Sequence, residues 1–285
     1  MIWRVRGGSI ALERPVLLGI LNITPDSFSD GGSFFSVDAA LARARAMVEE
    51  GADVIDVGGE STRPQHATPV SPSEEAARIL PVVTALRTAL PATPLSVDTV
   101  KADVAAAALA LGVAIINDVS AFRLDPRMGE VCAAHGAGVV LMHSRGAVHD
   151  MATFAHATYG DDVTGEVVAE LGERLAAACA AGVSLDAIVI DPGIGFSKRP
   201  EDSLRVLAEL PRVGALGRPV LVGVSRKRVI GEITGVMTPA DRVNGTIGAN
   251  VAALMRGARL FRVHDVAANR HALDVAWEIA RRGNS

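Results

Sequence analysis

The sequence predicts a TIM (β/α)8 barrel with a short N-terminal hairpin. Eight short and almost continuously aliphatic runs alternate with segments of helical periodicity, a pattern typical of parallel strands covered by helices. Eight such units in 285 residues suit a closed barrel in number and in length. An open doubly wound sheet is the alternative, and eight units disfavour it. Because no linker interrupts this rhythm, we expect residues 1–285 to form a single domain.

The predicted elements follow one another in a regular order. Two apolar strings separated by Gly7 and Gly8 predict the hairpin within residues 2–14. The predicted strands cover residues 16–21, 54–57, 95–97, 114–116, 139–142, 188–190, 220–224 and 260–263. The predicted helices cover residues 37–50, 73–90, 101–111, 126–135, 162–181, 200–210, 239–255 and 266–282. Ser73 is the predicted N-cap of the second helix. Four glycines that follow helices predict helix C-termini; they are Gly51, Gly112, Gly136 and Gly182.

Composition and charge exclude several classes of protein. Lys and Arg total 28 against 32 Asp and Glu, and this net charge of −4 argues against a general nucleic-acid binder. The opening string MIWRVRGGSI lacks the apolar region of a signal peptide, and no apolar run reaches membrane-spanning length. We therefore expect a cytoplasmic protein without a membrane partner. Cys132 and Cys179 lack metal-ligand spacing, so we expect two buried free thiols.

Polar residues follow all eight predicted strands. The active site of a TIM barrel lies at the carboxyl ends of its strands, so these residues are expected to meet at one face. They are Asn22, residues 56–62, Asp98, Asn117 with Asp118, His143, Asp191, Ser225 with Lys227, and Arg262 with His264. Buried carboxylates at Asp98 and Asp191 would need donors, which Lys227, Arg262 and a ligand rich in N–H groups could supply.

Eight strings at these strand ends carry a family resemblance. They are GILNITPDSFSDGG (residues 19–32), DVGGESTRP (56–64), SVDT (96–99), INDVS (116–120), LMHSRG (141–146), DPGIGFSK (191–198), VGVSRK (222–227) and RVHDV (262–266). Any one string alone is a weak signal, but eight in one order are specific. With them the chain closely resembles the dihydropteroate synthase family.

The resemblance implies small-molecule substrates and a condensation. 7,8-Dihydropterin-6-ylmethyl diphosphate would react with 4-aminobenzoate to give 7,8-dihydropteroate and pyrophosphate. By resemblance, the pterin pocket contains Asp98, Asn117, Asp191 and Lys227, with Met142 and Phe196 packed on the ring and Arg262 stacked over it. Lys227, Asp30 and Arg63 are the residues expected to be catalytic.

The resemblance also implies a diphosphate site, a metal and an aminobenzoate pocket. Asn22 would bind Mg²⁺, and Arg262 with His264 would hold the phosphates. The aminobenzoate pocket would consist of Phe28, Thr62, Arg63, Pro64 and Ser225. Leaving-group ionisation at the pterin methylene, without a covalent enzyme intermediate, is the mechanistic hypothesis. Loops 22–37 and 61–72 are expected to close over the substrates, and a homodimer is the expected assembly.

Some assignments stay open at this point. Methyltetrahydrofolate–corrinoid methyltransferases share a pterin-binding barrel, and a non-catalytic pterin-binding paralogue is a third hypothesis. The strings Thr62-Arg63-Pro64 and Ser225-Arg226-Lys227 argue against both. Asp56 and Glu60 contact either substrate or the backbone of the second loop. His143 either belongs to the site or only binds neighbouring loops.

Overall fold

The computed structural model describes residues 1–23, 37–61 and 70–283. The hairpin pairs β1 (Ile2–Val5) with β2 (Gly8–Ala11) in antiparallel register. The other strands are β3 (Val16–Asn22), β4 (Val54–Gly58), β5 (Leu95–Asp98), β6 (Ile115–Asp118), β7 (Gly138–Met142), β8 (Ile188–Asp191), β9 (Leu221–Val222) and β10 (Leu260–Val263). The helices are α1 (Val37–Glu49), α2 (Pro72–Ala89), α3 (Ala102–Ala110), α4 (Met128–His135), α5 (Val163–Ala180), α6 (Pro200–Ala208), α7 (Leu210–Gly214), α8 (Arg228–Thr234), α9 (Val243–Met255) and α10 (Val266–Gly283).

Strands β3 to β10 form a parallel barrel, and the predicted TIM fold is confirmed. Neighbouring strands run in the order β8, β7, β6, β5, β4, β3, β10 and β9. A parallel bridge between Ile190 of β8 and Val220, just before β9, connects the two ends of this sheet. Each strand is followed by one or two helices, so all strands run in one direction and their carboxyl ends meet at one face.

Side chains along the strands alternate between the helix layer and the barrel interior. In β3, Leu17 and Leu21 belong to the large apolar core, whereas Leu18 belongs to a separate inner cluster. The inner cluster includes Leu18, Val54, Ile115, Val140, Val189, Leu221 and Leu260. Two positions further along their strands lie the polar residues Asp56, Asn117, Asp191 and Arg262. The inward-facing positions of these strands are therefore apolar in the lower part of the barrel and polar at its upper end, where the strands finish.

The hairpin covers the lower end of the barrel. Trp3, Val5 and Leu12 are buried and belong to the inner cluster. The Trp3 indole N–H donates to the carbonyl of Ala187, at a distance of 2.8 Å. The backbone N–H of Arg6 donates to the carbonyl of Ala114, next to the start of β6, and this bond fixes the hairpin beside the barrel. The hairpin thus shields apolar side chains that the strands alone would expose.

The helix ends confirm one sequence prediction and correct another. Gly51, Gly112, Gly136 and Gly182 all have positive φ, between +60° and +99°, as expected of helix C-termini. The predicted cap at Ser73 is wrong. The hydroxyl of Ser71 caps α2 by accepting the N–H of Glu74 at 3.2 Å. Pro72 then fills the first helical position, where its fixed φ and missing N–H are tolerated, so the helix begins earlier.

Two short helices differ from the predicted elements. The predicted helix over residues 200–210 ends at Ala208, and α7 starts afresh at Leu210. Pro211 lies in the first turn of α7, because in a continuous helix its ring would clash with the carbonyl four residues before. Helix α8 falls between predicted elements; it ends at Thr234 and is capped by Gly235, which has a φ of +74°.

The two cysteines differ in exposure. Cys132 is buried and Cys179 is exposed, and both are free. The expectation of two buried thiols is therefore wrong for Cys179, because the buried face of α5 includes its neighbour Ala178 and the next residue points about 100° away. Within the three described ranges, no helix combines the length and apolarity needed to cross a bilayer.

Removal of the Trp3 side chain should destabilise the fold without touching the opposite face of the barrel. Trp3→Ala creates a cavity and leaves the Ala187 carbonyl without its donor, so we expect the free energy of unfolding to fall by about 3–5 kcal/mol. Ile2→Ala is the matched control, because Ile2 is 57% exposed in the same strand. Urea unfolding followed by circular dichroism measures both. Equal stabilities of the two variants would contradict this role of the hairpin.

Candidate active site

The carboxyl ends of four neighbouring strands place polar groups in one row. Strand register aligns Asn22 with Gly58, Gly58 with Asp98, and Asp98 with Asn117. Gly58 lies between Asn22 and Asp98, and a Cβ there would make ordinary van der Waals contacts with Asp98 Cβ at 3.6 Å and with Asn22 Oδ1 at 3.8 Å. The structure therefore brings together three residues that the sequence assigns to substrate binding.

Arg262 of β10 binds two carboxylates inside the barrel. Its Nε donates to Asp56 Oδ2 at 2.6 Å, and its Nη2 donates to Asp98 Oδ2 at 2.8 Å. The Asn117 amide donates to the same Asp56 oxygen at 3.3 Å. Burial raises the pKa of Asp98 to about 7, although the nearby Arg262 opposes that shift. The second oxygen of Asp56 is buried and has no hydrogen-bond partner among the described residues.

Asp191 and Lys227 form the other half of the polar site. Asp191 Oδ1 accepts the N–H of Gly193 at 2.7 Å. Lys227 donates to the carbonyl of Ile194, and its Nζ lies 4.3 Å from the centroid of the Phe196 ring. Burial raises the pKa of Asp191, against the effect of Lys227. Burial likewise lowers the pKa of Lys227 to about 8, against the effect of Asp191.

Met142 and Phe196 form an apolar wall beside these charges. Both are buried in a small cluster that is separate from the main core and also contains Val100, Val119 and Met151. An apolar wall next to a few converging polar groups is the composition typical of small-molecule sites. The structure thus brings the two predicted ring-packing residues together, while their contact with a pterin stays a prediction.

Asn22 is the residue proposed to bind a magnesium ion. No three His, Cys, Asp or Glu side chains in the described part of the chain are arranged to hold a metal ion. Asn22 lies half-buried at the end of β3 and offers a neutral amide oxygen. Mg²⁺ commonly keeps several waters and binds through one or two protein oxygens plus substrate phosphates. These residues fit a metal that is shared with a diphosphate.

Ser225 and His264 meet beside β10. The hydroxyl of Ser225 lies 3.0 Å from His264 Nδ1 and accepts the backbone N–H of His264 at 3.1 Å. Arg226 and Asp265, their immediate neighbours, form an ion pair. The predicted diphosphate residue and the predicted aminobenzoate residue are therefore fixed to each other across two loops.

Five predicted site residues lie outside the described residues. They are Phe28, Asp30, Thr62, Arg63 and Pro64. Their roles, and the predicted closure of the two loops that contain them, stay predictions.

Glu60 and Asp56 make different kinds of contact in the structure. Glu60 accepts the backbone N–H of Val70 at 2.9 Å and the ammonium of Lys101 at 2.8 Å. Lys101 also binds Glu75, which is buried in α2. Glu60 is thus a partner of the loop backbone. Asp56 is instead completely buried against Arg262, with its side chain inside the barrel.

The partners of His143 do not follow from the sequence patterns. His143 is buried, and its Nδ1 lies 2.8 Å from the ammonium of Lys198 while its Nε2 lies 3.0 Å from Glu170. Lys198 is the last residue of the family string DPGIGFSK, and its place in that string is the sequence signal that could have identified it as part of the site. Glu170 lies in the middle of a helix, and nothing in its local sequence indicates a partner on another element.

The fold and this site together define a TIM-barrel protein whose candidate site, at the carboxyl ends of its strands, has the composition typical of small-molecule sites. Comparison with known proteins specifies the class. The model of the pterin binding enzyme family matches residues 18–264. A dihydropteroate synthase of Bacillus subtilis is 42% identical over 254 residues, which are 89% of this chain and 85% of that protein.

Two further relatives are similar over nearly the whole chain. A mitochondrial bifunctional folate synthesis protein of Arabidopsis thaliana is 42% identical over 281 residues, and the chain spans 50% of its length. The structure of Xanthomonas albilineans dihydropteroate synthase with 4-aminobenzoic acid superimposes with a TM-score of 0.90 at 46% identity, over 99% of both chains. The chain belongs to the pterin-binding enzyme family and, within it, to the dihydropteroate synthase family.

The turn after Asp191 should tolerate no side chain at Gly193. Gly193 has a φ of +68°, and a Cβ there would overlap the carbonyl oxygen of His143. We expect Gly193→Ala to displace the Phe196 wall and to weaken pterin binding about tenfold or more.

Gly217→Ala is the matched control for this variant. Gly217 has a similar φ of +75°, but a Cβ at this position would meet nothing within 4 Å, so only the backbone cost of about 1–2 kcal/mol remains. Calorimetric titration with a 6-hydroxymethylpterin measures binding. Equal affinities of the two variants would show that the turn does not shape the pocket.

Proposed function

We propose that this protein condenses 7,8-dihydropterin-6-ylmethyl diphosphate with 4-aminobenzoate, giving 7,8-dihydropteroate and pyrophosphate. One observation carries the proposal. Strands at opposite sides of the barrel place carboxylates, an amide and two cations around an apolar wall, in the positions of the family strings; these residues are Asp98, Asn117, Asp191, Lys227 and Arg262. The synthase relatives and the structure with 4-aminobenzoic acid support the same activity.

The hydrogen-bond acceptors of the site match the donors that a pterin presents. The aminopyrimidine edge of a pterin presents several N–H donors in one plane. Asp191 Oδ2 and the carboxylate of Asp98 are the acceptors proposed to receive these donors, and Asn117 adds an amide. Charge-assisted hydrogen bonds of this kind contribute about 1.5–3 kcal/mol each. Met142 and Phe196 would contact the face of the ring.

The diphosphate would lie at the mouth of the barrel. Asn22, Arg262 and His264 are the residues proposed to hold it, and Asn22 would also bind Mg²⁺. When bound, Mg²⁺ would neutralise charge on the diphosphate and make pyrophosphate a better leaving group. The contacts of Arg262 with Asp56 and Asp98 use its Nε and one N–H of Nη2, so further N–H groups of the guanidinium can donate to a phosphate while both ion pairs are kept.

Positioning and charge stabilisation are sufficient for the reaction. The C–O bond at the pterin methylene breaks with its electron pair on the departing pyrophosphate, and the neutral amine of 4-aminobenzoate forms the new C–N bond. The ammonium that results loses one proton, which passes to solvent water or to the departing pyrophosphate. Lys227, with a pKa lowered by burial, holds positive charge near the ring and the Ile194 carbonyl. Asp30 and Arg63 are proposed to complete the site, and Ser225, Phe28, Thr62 and Pro64 to bind the aminobenzoate.

A homodimer in the cytoplasm is the proposed working form. Exposed apolar side chains on the last helices support an interface there; they are Met255, Val275 and Ile279. The buried thiol of Cys132, whose pKa burial raises, suits a reducing compartment.

Substitution of Lys227 or Asp191 should abolish turnover with the fold retained. Lys227→Ala and Asp191→Ala each remove a charge beside the ring, so we expect kcat/KM to fall by about a hundredfold to a thousandfold. Arg228→Ala is the matched control, because Arg228 is the exposed neighbour of Lys227. Its kcat/KM should change by less than about twofold. Near-normal activity of either site variant would overturn the assignment.

Pyrophosphate release should require both 4-aminobenzoate and a divalent cation. A coupled pyrophosphate assay is expected to give turnover with Mg²⁺, none after chelation, and recovery when Mg²⁺ is added back. Asn22→Ala should raise the Mg²⁺ concentration that gives half-maximal rate. Release independent of 4-aminobenzoate would indicate a hydrolase, and pterin binding without any release would indicate a non-catalytic binding protein.

A further inference from the structure

Lys198 is a buried lysine whose donors are all occupied. It is 1% exposed, and its ammonium lies 2.8 Å from His143 Nδ1. The same ammonium donates to the carbonyls of Gly193 and Phe196, at 3.2 Å each. A lysine ammonium has three donors and no acceptor, so these three contacts use its full capacity.

Burial of this ammonium is costly. Among the described residues it forms no ion pair within 4.0 Å, although Asp191 and Glu170 contribute favourable longer-range attraction. Burial lowers the pKa of Lys198 to about 7. An apolar side chain of similar length would fill the same space without that cost. Two of its three acceptors are backbone carbonyls of the loop after β8, so the ammonium holds that loop.

His143 and Glu170 fix the direction of the Lys198 ammonium. Burial, with the adjacent Lys198, lowers the pKa of His143 to about 4, so the imidazole is neutral near pH 7. Since the Glu170 carboxylate can only accept, the N–H of the neutral ring lies on Nε2 and donates to Glu170 at 3.0 Å, which leaves Nδ1 as the acceptor for the Lys198 ammonium. Glu170 also accepts from Arg145, whose Nη2 binds Glu166 at 2.7 Å. The chain of contacts thus extends from α5 to the loop that follows β8.

That loop forms one wall of the proposed pterin site. Within the loop, the N–H of Phe196 donates to the carbonyl of Gly193 at 3.0 Å, and other backbone N–H groups of the loop donate to Asp191 and Ser203. Gly193, Gly195 and Ser197 have positive φ, so the backbone reverses direction repeatedly. The two carbonyls bound by Lys198 lie on either side of Ile194, whose own carbonyl accepts from Lys227. Ammonium groups from the two lysines therefore hold three carbonyls of one short loop.

We propose that Lys198 is a positioning residue for the pterin half of the active site. Fixed by His143 and Glu170, it holds the loop over residues 193–196 so that Asp191, Lys227 and Phe196 present their side chains to the ring. Lys198 itself does not touch the substrate. The proposal rests on the proposed function, because it requires a pterin in this site.

Direct binding measurements can separate positioning from general stability. Lys198→Met keeps an unbranched side chain that is one heavy atom shorter, and it removes the three donors. Calorimetric titration with 6-hydroxymethyl-7,8-dihydropterin, well below the melting temperature of each variant, should show affinity reduced about tenfold or more. Arg199→Met is the matched control, because it removes a cation from the next, exposed residue and should leave the affinity unchanged.

A second pair of variants tests the same point without touching Lys198. His143→Gln keeps an acceptor for the ammonium, whereas His143→Leu removes it, so the glutamine variant should bind the pterin more tightly.

Lys198→Met combined with His143→Leu should cost less affinity than the product of the two single losses, because both act through one contact.

The outcomes distinguish this proposal from the proposed function. If the unaltered protein neither binds the pterin nor releases pyrophosphate, the proposed function fails. If the unaltered protein does both while Lys198→Met loses only melting temperature and keeps full pterin affinity, Lys198 is structural and the present proposal is wrong. Equal affinities of His143→Gln and His143→Leu would also overturn it.

Discussion

The ion pairs of Arg262 are the interaction on which the upper half of the barrel depends. Asp56 is completely buried, and its contact with the Arg262 guanidinium supplies its compensating charge. Removing one partner of such a pair typically costs about 3–5 kcal/mol, because the other charge stays buried. Arg262 also reaches Asp98 on β5, so β4, β5 and β10 are linked across the interior. The polar groups at the upper end of the barrel are therefore held by charge, whereas the lower barrel is held by apolar packing.

The division between these halves explains why the fold is predictable. Strands with aliphatic residues on both faces and helices with glycine ends indicate a barrel locally, element by element. The inward position of Asp56 and Arg262 also follows from counting two residues on from Val54 and Leu260. Element ends are less predictable, as Ser71 and Pro211 show, because competing caps and nearby prolines determine them.

The site is predictable only as far as each contact lies within the family strings. Asp98, Asn117, Asp191 and Lys227 belong to such strings and meet as expected. The contact of His143 with Glu170 joins residues 27 positions apart on different elements. Helix periodicity makes Glu170 an ordinary polar residue of α5, so no local pattern identifies its partner. Tertiary hydrogen bonds between a loop and a helix depend on how the two elements pack together, and the sequence of one segment alone does not specify that packing.

Lys198 is buried and Lys227 is half-buried, and the proposals give the two lysines different tasks. Burial lowers the pKa of both, and in each case the nearby carboxylate of Asp191 opposes the shift. Lys227 keeps its ammonium beside Phe196, where a ring and a departing diphosphate would approach it. Lys198 uses all three donors on protein acceptors and has none left for a ligand. On these proposals, Lys227 is the lysine that responds to substrate and Lys198 fixes the loop between them, so the placement of Lys227 depends on Lys198.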